Sequence, residues 1–135
     1  MIRVLIFLLL LWPKISSAEV IIHSGIQSEA VTRQYLLSVF SMRTRTWPGG
    51  QPIRVFVLPY KHSVHQDFSK NVLGIFPYQL RSIWDRAVFS GAGQSPTVVP
   101  TVDIMLEKVR STTGAIGYLP PMEEEVQHVN VLEIR

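Results

Sequence analysis

The chain has 135 residues and no cysteine, with 13 Lys and Arg against 10 Asp and Glu, a formal charge of +3. The missing cysteines exclude disulfides, thiol catalysis and cysteine metal centres, and the length suits one domain that builds its core without staples. Residues 1–18 carry Arg3 and Lys14 and no acid; without them 11 bases face 10 acids, and a net +1 argues against nucleic acid as a partner.

Those eighteen residues read as a secretory leader. Met1-Ile2-Arg3 is a positive start, Val4 to Trp12 is a nine-residue apolar run, and Ser16-Ser17-Ala18 supplies small residues for cleavage after Ala18. The run is shorter than the roughly 20 residues of a spanning helix, and Pro13 and Lys14 interrupt it. The expectation is a leader over 1–18 and a periplasmic domain over 19–135.

In that domain strands alternate with helices. Val20-Ile21-Ile22-His23 reads as a strand stopped by Ser24-Gly25, and Thr32 as the cap of a helix with Leu36, Val39 and Phe40 on one face. Arg43 to Gly50 is a polar loop. Ile53 to Leu58, dense in β-branched and aromatic residues, reads as a buried strand closed by Pro59. Ser63 stands where an N-cap is expected, ahead of Val64, Phe68 and Val72, with Gly74 as the stop. A strand feeding a helix N-terminus offers free N–H groups and a positive dipole end, which suits an anion.

Pro77 opens the most clearly amphipathic helix, with Leu80, Ile83, Trp84, Ala87 and Val88 on one stripe. Gly91 to Pro96 is a loop; Gly91-x-Gly93 follows a helix and lacks the third glycine of a dinucleotide fingerprint. Thr101 caps a further helix containing Asp103, Met105, Leu106 and Val109. Gly114 to Leu119 and Val129 to Ile134 read as strands, with Glu123-Glu124-Glu125 a solvated turn between them. The alternation implies an α/β fold with a small parallel or mixed sheet flanked by helices.

The order of these signals resembles one lobe of the periplasmic phosphate-binding proteins of ABC uptake systems, and more closely the small single-lobe secreted members of that superfamily. The stretches that carry the resemblance are Leu36-Leu37-Ser38-Val39-Phe40, Trp47-Pro48-Gly49-Gly50, the strand Ile53–Leu58, the helix from Ser63 to Phe68, Trp84, and Ser111-Thr112-Thr113-Gly114-Ala115-Ile116-Gly117-Tyr118. The resemblance implies one lobe of the type II periplasmic-binding-protein-like fold, a non-enzymatic role in phosphate transport, and phosphate or a related oxyanion as ligand. It also implies a departure. Where the family has a Ser-Gly-Thr anion loop, this chain has His62-Ser63-Val64-His65, and where the family closes two lobes, this chain offers one. Binding by one lobe is therefore expected to be weak.

The expected ligand-binding residues are His62, Ser63, Val64 and His65, completed by Ser28 from the loop Ser24–Ser28 and Thr113 from Thr112–Gly114, on the supposition that these loops share a sheet edge with Ser63. A protonated His62 or His65 would strengthen binding as pH falls toward about 6. His62 and His65, three apart, have the spacing of metal ligands but no accompanying motif, and Ser63 with those histidines and Asp67 has the residue types of a hydrolase triad without its elbow. No cofactor, no metal and no enzyme activity is expected. Arg43 and Arg45 read as solvated loop residues or as contacts to a phosphate or an acidic partner. Trp84 reads as core, while Trp47 either plugs the sheet edge or marks a contact surface. The alternative function is a periplasmic interaction module docking on a membrane sensor, transporter or envelope protein.

Overall fold

The computed structural model describes residues 17–122 and 124–135 of the chain. The leader reading therefore falls almost entirely outside the described residues. Five strands form one mixed sheet: β1 (Glu19–His23), β2 (Arg54–Val57), β3 (Thr97–Val98), β4 (Ala115–Leu119) and β5 (Val129–Val131), in the order β3-β2-β4-β1-β5. β2, β3 and β4 run parallel, whereas β1 is antiparallel to β4 and to β5. Four α-helices accompany them: α1 (Arg33–Phe40), α2 (Ser63–Asp67), α3 (Pro77–Phe89) and α4 (Val102–Ser111). α2 continues without a break into a π-helical segment, Phe68–Leu73, which ends at Gly74 with φ 76°.

The caps at Thr32 and Thr101 form as the sequence suggests: their hydroxyls accept from the amides of Tyr35 (3.1 Å) and Ile104 (3.2 Å). β3 escapes the sequence reading, because Thr97 and Val98 are both exposed and follow a glycine-rich loop, with no apolar run to announce a strand.

β4 shows how the layers are sorted. Its alternate side chains point to opposite faces. Gly117 faces α4 so closely that a Cβ there would lie 2.5 Å from Met105 Sδ and 3.1 Å from Val109 Cγ2. Tyr118 faces the other way, onto Phe68 (rings stacked, 3.9 Å between centroids) and toward Phe40 (6.0 Å). α4 therefore covers one face of the sheet, and α1 with the α2–π segment covers the other.

α3 lies outside that second layer. Its buried residues are Pro77, Leu80 and Trp84, whereas Val88 is exposed and Ile83 only partly covered. The expected stripe is narrower than the periodicity suggested, since the helix packs on the π segment instead of lying flat on the sheet. Trp84 donates its indole N–H to the Phe40 carbonyl (2.8 Å), closing the end of α1. Trp47 is buried and donates to the Gly114 carbonyl (2.9 Å), so it is the plug of the two alternatives. Gly114 has φ 78°, and a Cβ there would fall 2.2 Å from the Pro52 carbonyl oxygen. Arg45 donates to the Ala92 carbonyl (2.9 Å), tying its loop to the loop after α3.

Candidate functional site

Parallel strands send their C-terminal ends to a common edge, and two helices begin there. β2 and β3 pair directly, Val57 with Val98, and the Val99 amide donates to the Val57 carbonyl (2.8 Å). From β2 a short turn, with the His62 amide on the Pro59 carbonyl (2.9 Å), leads into α2; from β3 the chain passes Val99 and Pro100 into α4 at Thr101. Two helix N-termini thus open at the same edge of the sheet, at the carboxyl ends of adjacent strands, the position where open α/β sheets gather ligands.

The N-cap of α2 is His62, not Ser63. His62 has extended backbone (φ −66°, ψ 132°), and its Nδ1 accepts from the Val64 amide (3.1 Å) as a serine oxygen otherwise would. Ser63 is the first helical residue, exposed, with its hydroxyl free of the cap. The Val64 amide is consequently occupied by the protein itself. The amides of Ser63 and His65 lie in the first turn, where no intrahelical acceptor exists, and no other group among the described residues accepts from them.

His65 points inward. It is 1% exposed, and its Nδ1 meets the Tyr118 hydroxyl. That hydroxyl oxygen also accepts from the Leu58 amide (2.8 Å), so the phenol ties the residue after β2 to the imidazole. Burial lowers the His65 pKa to about 4, with a smaller push from His62; burial also holds the Tyr118 phenol above its usual range, against the opposing Leu58 bond. His65 is thus neutral at pH 6, and the expected gain in anion affinity from its protonation does not follow. The two histidines serve different ends, one as a cap and one as a core bridge. Among the described residues no three His, Asp or Glu side chains gather as metal ligands.

Ser28 and Thr113 do not reach this edge. β1 runs antiparallel to β4, with Ile22 opposite Ile116, so the loop after β1 emerges where β4 begins. Thr113 precedes β4 and lies at that same far end. The shared edge expected for Ser28, Thr113 and Ser63 is therefore corrected: periodicity identifies a strand but not its direction. Ser28 instead borders a separate cavity of about 440 Å³ with Gln27, Glu29, Thr32, Tyr35 and Arg135.

Sequence reasoning missed that α4 begins at the same sheet edge as α2, because β3 carries no signal of its own. It also missed Tyr60 and Arg81. The Arg81 guanidinium lies over the Tyr60 ring, 5.2 Å from its centroid, beside the turn that leads to His62.

No family model matches the chain, and no curated protein matches it in sequence. Solved structures do share its fold. An ABC-type phosphate transport receptor from Vibrio cholerae superposes with a TM-score of 0.63 at 14% identity, covering 88% of this chain and 46% of that one. PstS from Borrelia burgdorferi gives 0.67 at 13% identity, covering 88% and 47%. A third, from Clostridium perfringens and solved with bound phosphate, gives 0.65 at 14%, covering 88% and 45%. The fold is that of one lobe of the phosphate-binding-protein-like class. The chain spans about half the length of the solved structures it matches.

Proposed function

We propose that the chain is an exported, non-enzymatic solute-recognition lobe that holds phosphate or a related oxyanion weakly at the edge where α2 and α4 begin. One observation carries this reading: adjacent parallel strands deliver two helix N-termini to the same edge, with the Ser63 hydroxyl and the Ser63 and His65 amides not taken up by the cap. The structures of like fold that are named for phosphate lend it support. An oxyanion there would take N–H bonds from Ser63 and His65 and an O–H bond from Ser63, with His62 and the capped Val64 shaping the turn.

Titration calorimetry with phosphate and with sulfate tests the proposal. Wild type is expected to release or absorb heat in the micromolar to millimolar range, and Ser63→Asp to weaken binding at least about tenfold by placing a carboxylate at the site. Since His62 is the cap, Ser63→Asp leaves the helix start intact, and an unchanged melting curve is expected beside the lost binding. Equal affinity in the two proteins would remove Ser63 from the site.

A second reading is favoured by one feature: His62 already occupies the Val64 amide, removing one anion donor from the helix start. In it the lobe is an interaction module for a membrane or envelope protein, without ligand of its own. Absence of heat with either anion, together with recovery of a membrane protein on purification, would establish it. Both readings place the chain in the periplasm after cleavage behind Ala18. The mass of the protein recovered from a periplasmic extract is expected to correspond to a chain beginning at Glu19; a mass retaining residues 1–18 would refute export with cleavage.

A further inference from the structure

The outward stripe of α3 carries the largest exposed apolar side chains of the described residues. Phe89 is 90% exposed and Tyr78 58%, and Phe76 stacks on Tyr78 with ring centroids 5.7 Å apart. Tyr78 and Phe89 are eleven residues apart, three helical turns, so they project within about 20° of one another and about 16 Å apart along the axis. Between them on the same stripe are Ser82 and Asp85, both exposed. Aromatic rings left in water at both ends of one helix face, with a small polar centre, form a self-complementary pattern.

We propose that a second copy of this chain docks on this face, with α3 antiparallel to α3 about a two-fold axis between Ile83 and Trp84. Each residue then meets the one equidistant beyond the axis. Tyr78 of one copy lies against Phe89 of the other at both ends, and Ser82 lies against Asp85 at the centre. The flanks agree as well. Arg81 and Asp85 share one side of the stripe, and reversal of the second helix brings Asp85 of each copy within about one residue's rise of Arg81 of the other. The Tyr60 ring beneath Arg81 steadies the guanidinium for that contact. Charge complementarity and the symmetric spacing 78–89 and 82–85 are met together by a copy of the same helix, and a two-fold pair closes without leaving a free face.

One helix face on each side makes a small interface, so self-association on the order of 10 µM is expected, not a permanent dimer. Sedimentation velocity of the purified protein over roughly a hundredfold range of concentration reads it directly. The monomer should give way to a dimer as concentration rises. Phe89→Asp, at a position the fold does not cover, should weaken the dimer at least about tenfold without moving the urea midpoint. Asp85→Arg alone should also weaken it, and Arg81→Asp combined with Asp85→Arg should restore it by exchanging the partners. A wild-type protein that stays monomeric throughout overturns the proposal. So does a Phe89→Asp protein that dimerises as before, or a double exchange that dimerises no better than Asp85→Arg. Anion binding at the α2–α4 edge is read separately by calorimetry, so neither result decides the other.

Discussion

Replacing Trp84 by alanine is expected to lower stability by about 3–5 kcal/mol, the range for emptying an aromatic site in a packed core. Two losses combine. The indole sits between α3 and the end of α1, with its ring centroid 6.3 Å from that of His65, so its removal leaves a cavity that neighbouring helices fill only in part. Its N–H also satisfies the Phe40 carbonyl, which alanine leaves without a partner. Trp84→Phe separates the two contributions, since it keeps most of the ring and loses only the donor; it should cost markedly less. Urea unfolding of the three proteins measures the series. A midpoint unmoved in Trp84→Ala would mean that α3 does not anchor the second layer.

The second large effect is acid sensitivity from His65. Its folded pKa is lowered, to about 4, against 6.5 in the unfolded chain. Between those values the unfolded chain binds a proton that the folded chain refuses, so stability is complete above pH 6.5 and declines as pH falls toward 4. Taking those two values, the loss from pH 7.5 to pH 5 is about 2 kcal/mol from this one group. His65→Gln keeps a polar side chain and does not titrate. It should be less stable than wild type at pH 7.5 yet lose about 2 kcal/mol less on going to pH 5. Parallel pH profiles for the two proteins would contradict the burial of a neutral imidazole. The Tyr118 hydroxyl answers to the same network: Tyr118→Phe strips both the Leu58 amide and His65 Nδ1 of their partner.

The strands and helices that bury a continuous apolar face were legible in the sequence. Ile53 to Leu58, the Leu36–Val39–Phe40 face and the capping threonines announce themselves through local pattern, and their structure follows from residues a few positions apart. What was illegible depends on partners far along the chain. His65 reads as a ligand-binding residue of the turn until Tyr118, 53 positions later, is placed beside it. The direction of β1 leaves no mark on its apolar run, and that direction separates Ser28 from Ser63. The cap moved from Ser63 to His62 because an imidazole nitrogen accepts as well as a hydroxyl does, a choice made by the backbone angles at His62.

The segment most suggestive of the resemblance, Thr112 to Tyr118, also changes meaning. Gly114 turns the chain and offers its carbonyl to Trp47 and to the Arg54 amide, Gly117 admits α4, and Tyr118 bridges Leu58 to His65. Each of these residues works in packing. The motif therefore speaks for the fold, while the proposed ligand edge rests on the short turn before α2 and on the start of α4.

Amide chemical shifts followed during a phosphate titration test that edge most directly. The account predicts that millimolar phosphate moves the amides of Ser63 and His65 and those at the start of α4, Thr101 to Asp103, while Gln27 to Thr32 stay in place. Shifts confined to Gln27–Thr32 and Arg135, or no shift anywhere, would contradict it.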